Sequence, residues 1–187
     1  MASQIGIFNM ALIFMGARPL LSLDEDTKSK RTLVALWDAT RDEVLRDHPW
    51  NFAAKRVSLA ELTTSPVFGF AHAFSLPADY IRLQEVGEPG DNIVYAIEGD
   101  TLVTDESVVY LKYTSRVTDV AKFDAKFAVA LALKLSAYAA YAITASTGMV
   151  RAMNAAYDAA LVGAMGADGQ EGSPKEIRDN ALIEARA

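Results

Sequence analysis

The hydrophobic period changes twice along this chain, and that change constrains the fold more than any single residue. Up to about residue 49, apolar side chains recur at helical spacing. Over residues 50–116 they alternate in short runs rich in β-branched and aromatic residues, and from about 117 the helical period returns. Strands contiguous in sequence do not build βαβ units, so the expected class is α+β with antiparallel pairing. The helices come from both ends of the chain. They can form one bundle only if the strand block is an insertion protruding from it. The expected organisation is a four-helix bundle from residues 1–49 and 117–167, an inserted antiparallel strand block at 50–116, and an extended tail at 168–187.

Local signals sharpen the boundaries. Ile5, Phe8, Leu12 and Met15 share a helical face, Ser3 can cap it, and Gly16 with Pro19 ends it. A second helix is expected from about Thr27 to Asp47, capped within Asp24 to Asp26, with Leu33, Leu36, Trp37, Thr40 and Val44 on one face. Asp42 and Arg46 stand four apart, as an exposed ion pair would. Pro49 stops this helix near His48. Five or six short strands follow, and Gly99-Asp100 reads as a tight hairpin between two of them. Asp124 caps the third helix with Phe123 as a staple, and Phe127, Leu131, Leu135 and Tyr138 form its stripe. Gly148 is expected to end it. Met149, Met153, Tyr157 and Leu161 make the stripe of the fourth helix.

Composition excludes several functions. The chain has 187 residues, enough for one domain with a real core, and 51% are hydrophobic, too many for a chain disordered throughout. With no cysteine there is no disulfide framework, thiolate metal site or cysteine nucleophile. The net charge of −6 argues against gripping nucleic acid over most of the surface, but not against an acidic wall past which DNA slides. The start Met1-Ala2-Ser3-Gln4 lacks the basic region of a secretory signal. The run from Phe127 to Ala145 is long and apolar enough to span a bilayer, but Lys134 stands at its centre, so a buried helix is expected. Residues 121–167 hold 17 alanines in 47 positions, which suits close helix packing within or between chains.

Catalytic patterns are few in the chain. His48 sits at a helix end and His72 on a strand, neither at metal-ligand spacing from a second ligand. No phosphate-cradling glycine loop or Gly-x-Ser-x-Gly elbow occurs. Asp42 with Glu43, or Glu85 with Glu88, could in principle serve as the carboxylate pair of a glycan hydrolase, although a solvated face and a turn account for them. Arg18, Arg41 and Arg46 read as ion-pair partners. No catalytic, cofactor-binding or metal-ligating residue is expected. The most distinctive strip is the corner containing Arg41, Asp42, Pro49, Trp50, Asn51 and Phe52. It reads as a structural joint, with Trp50 and Phe52 stapling the strand block to the helices, and ligand binding is the alternative.

Five segments together resemble the head-to-tail adaptor proteins of tailed bacteriophages, including the tail tubular protein A family of short-tailed phages. They are Asn9-Met10-Ala11-Leu12 with Met15-Gly16-Ala17-Arg18-Pro19; Arg41-Asp42-Glu43-Val44-Leu45 with Pro49-Trp50-Asn51-Phe52-Ala53; Phe74 to Tyr80; Tyr95 to Leu102; and Phe123 to Phe127. The match spans about residues 5–165. The resemblance implies a non-enzymatic ring protein of the virion neck, made in the host cytoplasm and commonly present in about twelve copies. Such a ring sits between the portal protein and the next tail (nozzle or tube) protein. DNA passes through its lumen without sequence-specific binding, and no membrane or cofactor is involved. Beyond Gly166 no motif matches. Ile177, Arg178, Leu182 and Ile183 there are candidate partner contacts, in a segment that could order on the portal or a neighbouring subunit. The alternatives are a tail-borne cell-wall glycan hydrolase and a helical interaction module that forms no ring.

Overall fold

A computed structural model describes residues 2–88 and 90–170. Ile177, Arg178, Leu182 and Ile183 lie outside the described residues. The chain is α+β. Among the described residues it has α1 (Gln4–Phe14), α2 (Lys28–Asp47), six strands, α3 (Ala125–Thr144) and α4 (Thr147–Gly169). The strands are β1 (Ala54–Ser58), β2 (His72–Ser75), β3 (Tyr80–Val86), β4 (Tyr95–Glu98), β5 (Thr101–Thr104) and β6 (Tyr110–Ser115). They form two antiparallel three-stranded sheets, ordered β1-β6-β3 and β2-β5-β4. The β4–β5 hairpin turns on Gly99-Asp100, as its sequence predicts.

α3 occupies the centre of the helical part. It packs against α1, α2 and α4, and is buried nearly all round, from Phe127 through Ala140. Its small residues Ala130, Ala132, Ala139 and Ala140 let the neighbours close on it, and the Ser136 hydroxyl lies 3.0 Å from the Ala11 carbonyl of α1. Among the described residues α3 is the one helix long and apolar enough to cross a membrane; here its apolar surface is spent on other helices. Lys134 is the exception on it. Its ammonium meets Glu43 of α2 at 3.0 Å and lies 4.6 Å from the centre of the Tyr157 ring of α4.

Caps explain the helix limits. Ser3 accepts the Gly6 amide at the start of α1. At its end Gly16 takes φ +68, and the Gly16 and Ala17 amides donate to the Ile13 and Leu12 carbonyls, a Schellman motif. Asn9 then clamps the following turn: its side chain donates to the Leu20 carbonyl and accepts the Leu20 amide, at 2.9 and 2.7 Å. Three expectations fail. Thr27, not Asp24 to Asp26, caps α2, because Glu25 is held by the Leu21 and Ser22 amides and Asp26 by Arg31. Gly148 does not end α3. The stop is Ala145, a non-glycine residue at φ 54, and Gly148 lies in the first turn of α4. α4 also continues to Gly169, through Gly163 and Gly166, because glycine lowers helix propensity without forbidding a helix that packs on a neighbour.

There are two apolar clusters. The larger joins all four helices to Trp50, Ala53 and Ile81. The smaller lies in the strand region, around Leu59, Phe74, Leu76, Leu102, Val109, Leu111 and Tyr113.

Candidate functional site

The corner that stood out in sequence is built at the end of α2. Pro49 breaks the helix, and Trp50 turns inward to become fully buried (0% exposed). Its indole Nε1–H donates to the Val44 carbonyl at 2.8 Å. Its ring meets His48 and Phe127 edge-on, at centroid distances of 5.0 and 5.1 Å. Phe52 leaves the 3-10 turn Asn51–Ala53 and packs on Phe123 and Phe127 at the start of α3. Five aromatic rings thus tie the end of α2, the entrance to β1 and the N-terminus of α3 into one node. The Ser115 hydroxyl of β6 completes it by donating to the Ala53 carbonyl.

Two arginines lock α2 onto β3. Arg46 donates to the Ile81 carbonyl at 2.6 Å, and Arg82 donates to the Arg46 carbonyl at 2.9 Å. The second contact answers a carbonyl left open at the helix end. Arg46 is therefore engaged with β3, and the expected exposed pair with Asp42 gives way to that contact. Asp42 instead joins two cations: it accepts from Arg41 Nε and Nη2 on one oxygen and from Arg116 Nε on the other, at 2.7 to 2.9 Å. The Arg41 side chain is only 6% exposed and also reaches Asp38 at 2.7 Å. Its burial follows from its position beside Thr40 and Val44 on the inward face.

The remaining charges of this wall belong to the helix contacts. Glu43 takes the Lys134 ammonium and the Tyr138 hydroxyl, and the Tyr157 hydroxyl donates to Asp47. Burial works to lower the Lys134 pKa, but Glu43 outweighs it and holds the ammonium above its usual range. Burial, reinforced by Asp47, raises Tyr157 well above the ordinary phenol range. Tyr138 is displaced from the expected apolar stripe: it is largely exposed and turns its hydroxyl to Glu43. In the strand region Asp79 accepts from Lys55 and from Tyr113. Burial raises its carboxyl, yet those two hydrogen bonds prevail and leave it below the usual value. Burial and the Asp79 contact push the Tyr113 hydroxyl up to about 12.

No protein-family model matches the chain, and no curated protein is significantly similar to it.

The weighed carboxylate pairs fall in different settings. Asp42 and Glu43 line an open depression of about 450 Å³ with Tyr80 and Arg116, and both are ion-paired. Glu85 and Glu88 share an open pocket of about 410 Å³ on the β1-β6-β3 sheet, where Glu85 lies 4.0 Å from Lys112. His72 has a carboxylate neighbour that spacing did not reveal, Glu61 at 2.6 Å, eleven residues earlier. Among the described residues no group of three or more His, Asp or Glu is placed to hold a metal ion. Among the corner residues, Arg41 meets Asp42 and Trp50 meets Phe52. Sequence reasoning missed Arg82 and Arg116, and it put Tyr157 on a helix stripe without its pairing to Asp47; their partners lie 35 to 110 residues away. No local pattern encodes such pairings.

Proposed function

We propose that the chain is a structural head-to-tail adaptor of a tailed phage. It would form a ring of about twelve copies beneath the portal, carry the next tail component below, and surround the path of the ejected DNA. The observation that carries this reading is the corner. Within the strip that resembles the adaptors, Trp50 and Phe52 join the end of α2 to the start of α3. Such use suits an architectural role. The finer architecture belongs to the same proposal: a four-helix bundle around α3, the strands as its insertion, and residues 168–187 as an extension that docks on the portal or a neighbour. The net charge of −6 supports a lumen that does not retain DNA.

The test is to mix the protein with the portal protein of the same phage and image the mixture by negative stain. Portal-capped rings are expected. A chain that stays monomeric and ignores the portal refutes the reading. A hydrolase reading draws on the shared pocket of Glu85 and Glu88. Clearing of a peptidoglycan zymogram by the wild type, lost in Glu85→Gln or Glu88→Gln, would favour it.

A further inference from the structure

Each sheet has two outer edges, and those of β1, β2 and β3 are guarded. The outer edge of β2 is taken by residues 60–62: the Leu62 amide donates to the Ala73 carbonyl and the Ser75 amide to the Ala60 carbonyl, at 2.8 and 3.1 Å. β3 lies against α2, with its Ile81 carbonyl held by Arg46, and its ladder with β6 shifts register twice. β1 carries Lys55 and Arg56 in succession. Cover, irregularity and charge keep a strand edge from pairing with another chain.

β4 has no such guard. Tyr95, Ala96, Ile97 and Glu98 include no proline, lysine or arginine, and the ladder with β5 is regular. The Val94 and Glu98 carbonyls turn toward β5, where the Thr104 and Thr101 hydroxyls donate to them. The direction of the main-chain groups alternates along a strand, so the amides and carbonyls of Tyr95 and Ile97 point outward. Among the described residues none bonds to these outward groups. The side chains are uncovered as well. Phe74, Leu102 and Ile97 form one row across β2, β5 and β4. The first two are buried, whereas Ile97 is 38% exposed and Tyr95, on the same face, 40%. The apolar row thus ends on side chains that one further strand would cover.

We propose that β4 pairs with β4 of a second copy, antiparallel about a two-fold axis at Ala96. With Ala96 opposite Ala96, Tyr95 of each copy exchanges both main-chain bonds with Ile97 of the other, four bonds in all. Tyrosine and isoleucine then meet as aromatic and β-branched cross-strand pairs, and no two like charges stand directly opposite. Moving the axis by one residue brings either Gly99 of the hairpin turn, at φ +65, or Ile93, ahead of the strand, into the ladder. The contact closes on itself and joins copies in pairs. It neither needs nor builds a ring, so it stands apart from the adaptor reading.

The chain has no native cysteine, which makes the test clean. Full-length Ala96→Cys is oxidised without the portal. In the proposed pair the two Ala96 Cα atoms lie about 4.5 Å apart, within the span of a disulfide. A disulfide dimer is expected. Val94→Cys, at a 70% exposed side chain, should not cross-link to itself but should cross-link to Glu98→Cys, the residue it faces in this register. Ile97→Pro removes two of the four bonds, since proline has no amide to donate. Sedimentation equilibrium should show pairing weakened at least about thirtyfold. Proline is tolerated on an edge strand, and circular dichroism verifies the fold. An Ala96→Cys chain that cross-links no faster than Val94→Cys overturns the inference. So does a wild-type chain that remains monomeric at every concentration measured. The two proposals fail separately: portal-bound rings without the cross-link remove only this contact, and a cross-link in a chain that ignores the portal removes only the adaptor reading.

Discussion

Trp50 is the side chain on which the corner depends, and its replacement has a size that can be worked out. It is fully buried, donates to the Val44 carbonyl and touches His48, Phe52 and Phe127. Trp50→Phe removes about three heavy atoms and one hydrogen bond. At about 0.8 kcal/mol per buried carbon and about 1 kcal/mol for the bond, the cost is about 2–3 kcal/mol. Trp50→Ala leaves a cavity between α2 and α3 and costs about 3–5 kcal/mol. Against a total stability of about 5–15 kcal/mol, the alanine variant is a serious lesion. Urea unfolding followed by far-UV circular dichroism and by fluorescence measures both. Trp37, the other tryptophan and also in the helical cluster, remains as the reporter. The expected order is wild type, then Phe, then Ala, with an unchanged slope against urea. A Trp50→Ala variant within about 1 kcal/mol of wild type refutes the structural account. So does a Trp50→Phe variant of full stability.

Ala145→Gly should stabilise the protein by about 0.5–1 kcal/mol, because Ala145 ends α3 at φ 54, where a side chain is penalised; calorimetry would register a raised Tm. Asp42→Ala should cost about 1–3 kcal/mol because it takes a partner from the buried Arg41, whereas Asp38→Ala, at an 80% exposed side chain, should cost less than about 1 kcal/mol; urea midpoints compare the two. The protein should lose stability as pH rises from about 10 toward 12. The unfolded Tyr113 releases its proton near 10, the folded one at about 12, so between those values the unfolded state binds fewer protons and gains. Lys134, also raised, acts in the same direction. Tyr113→Phe should flatten this alkaline decline, and an unchanged slope in that variant would contradict the assignment. At the acid end the lowered Asp79 carboxyl contributes stability above about pH 4 that is lost as pH falls through its folded value; Asp79→Asn should remove that part of the acid transition.

The sequence by itself determined the α+β class, the order of elements and most helix ends, because these depend on signals a few residues apart. Ser3, Gly16, Pro49 and Asp124 act on amides, carbonyls and backbone angles within four residues of themselves. The same holds for Gly99-Asp100, where a two-residue loop joins β4 to β5. Local rules erred where two of them competed. Gly148 looked like a stop and Ala145 is the stop, because the packing of α4 on α3 decides where the chain must turn and imposes a left-handed angle on an alanine. Thr27 displaced three nearby acids as a cap because all three had found other partners, Asp24 with the Ser22 hydroxyl among them.

Only the tertiary structure decided what the corner residues touch. Trp50 was conspicuous in the sequence, but its placement against Phe127 depends on a contact 77 residues distant, which no spacing rule encodes. Arg41 reads as a surface cation, yet it is buried because Asp38, Asp42 and, through Asp42, Arg116 compensate its charge. Lys134 is tolerated in the most buried helix for the same reason, with Glu43 supplied by α2 and the face of Tyr157 by α4. The alanines show the same division. Their number was plain in the sequence, but only packing determined that Ala128, Ala130, Ala132, Ala137, Ala139 and Ala140 of α3 lie inside while Ala152, Ala155 and Ala159 of α4 face outward. Helical period says which residues share a face; the neighbours that cover that face are chosen by long-range packing.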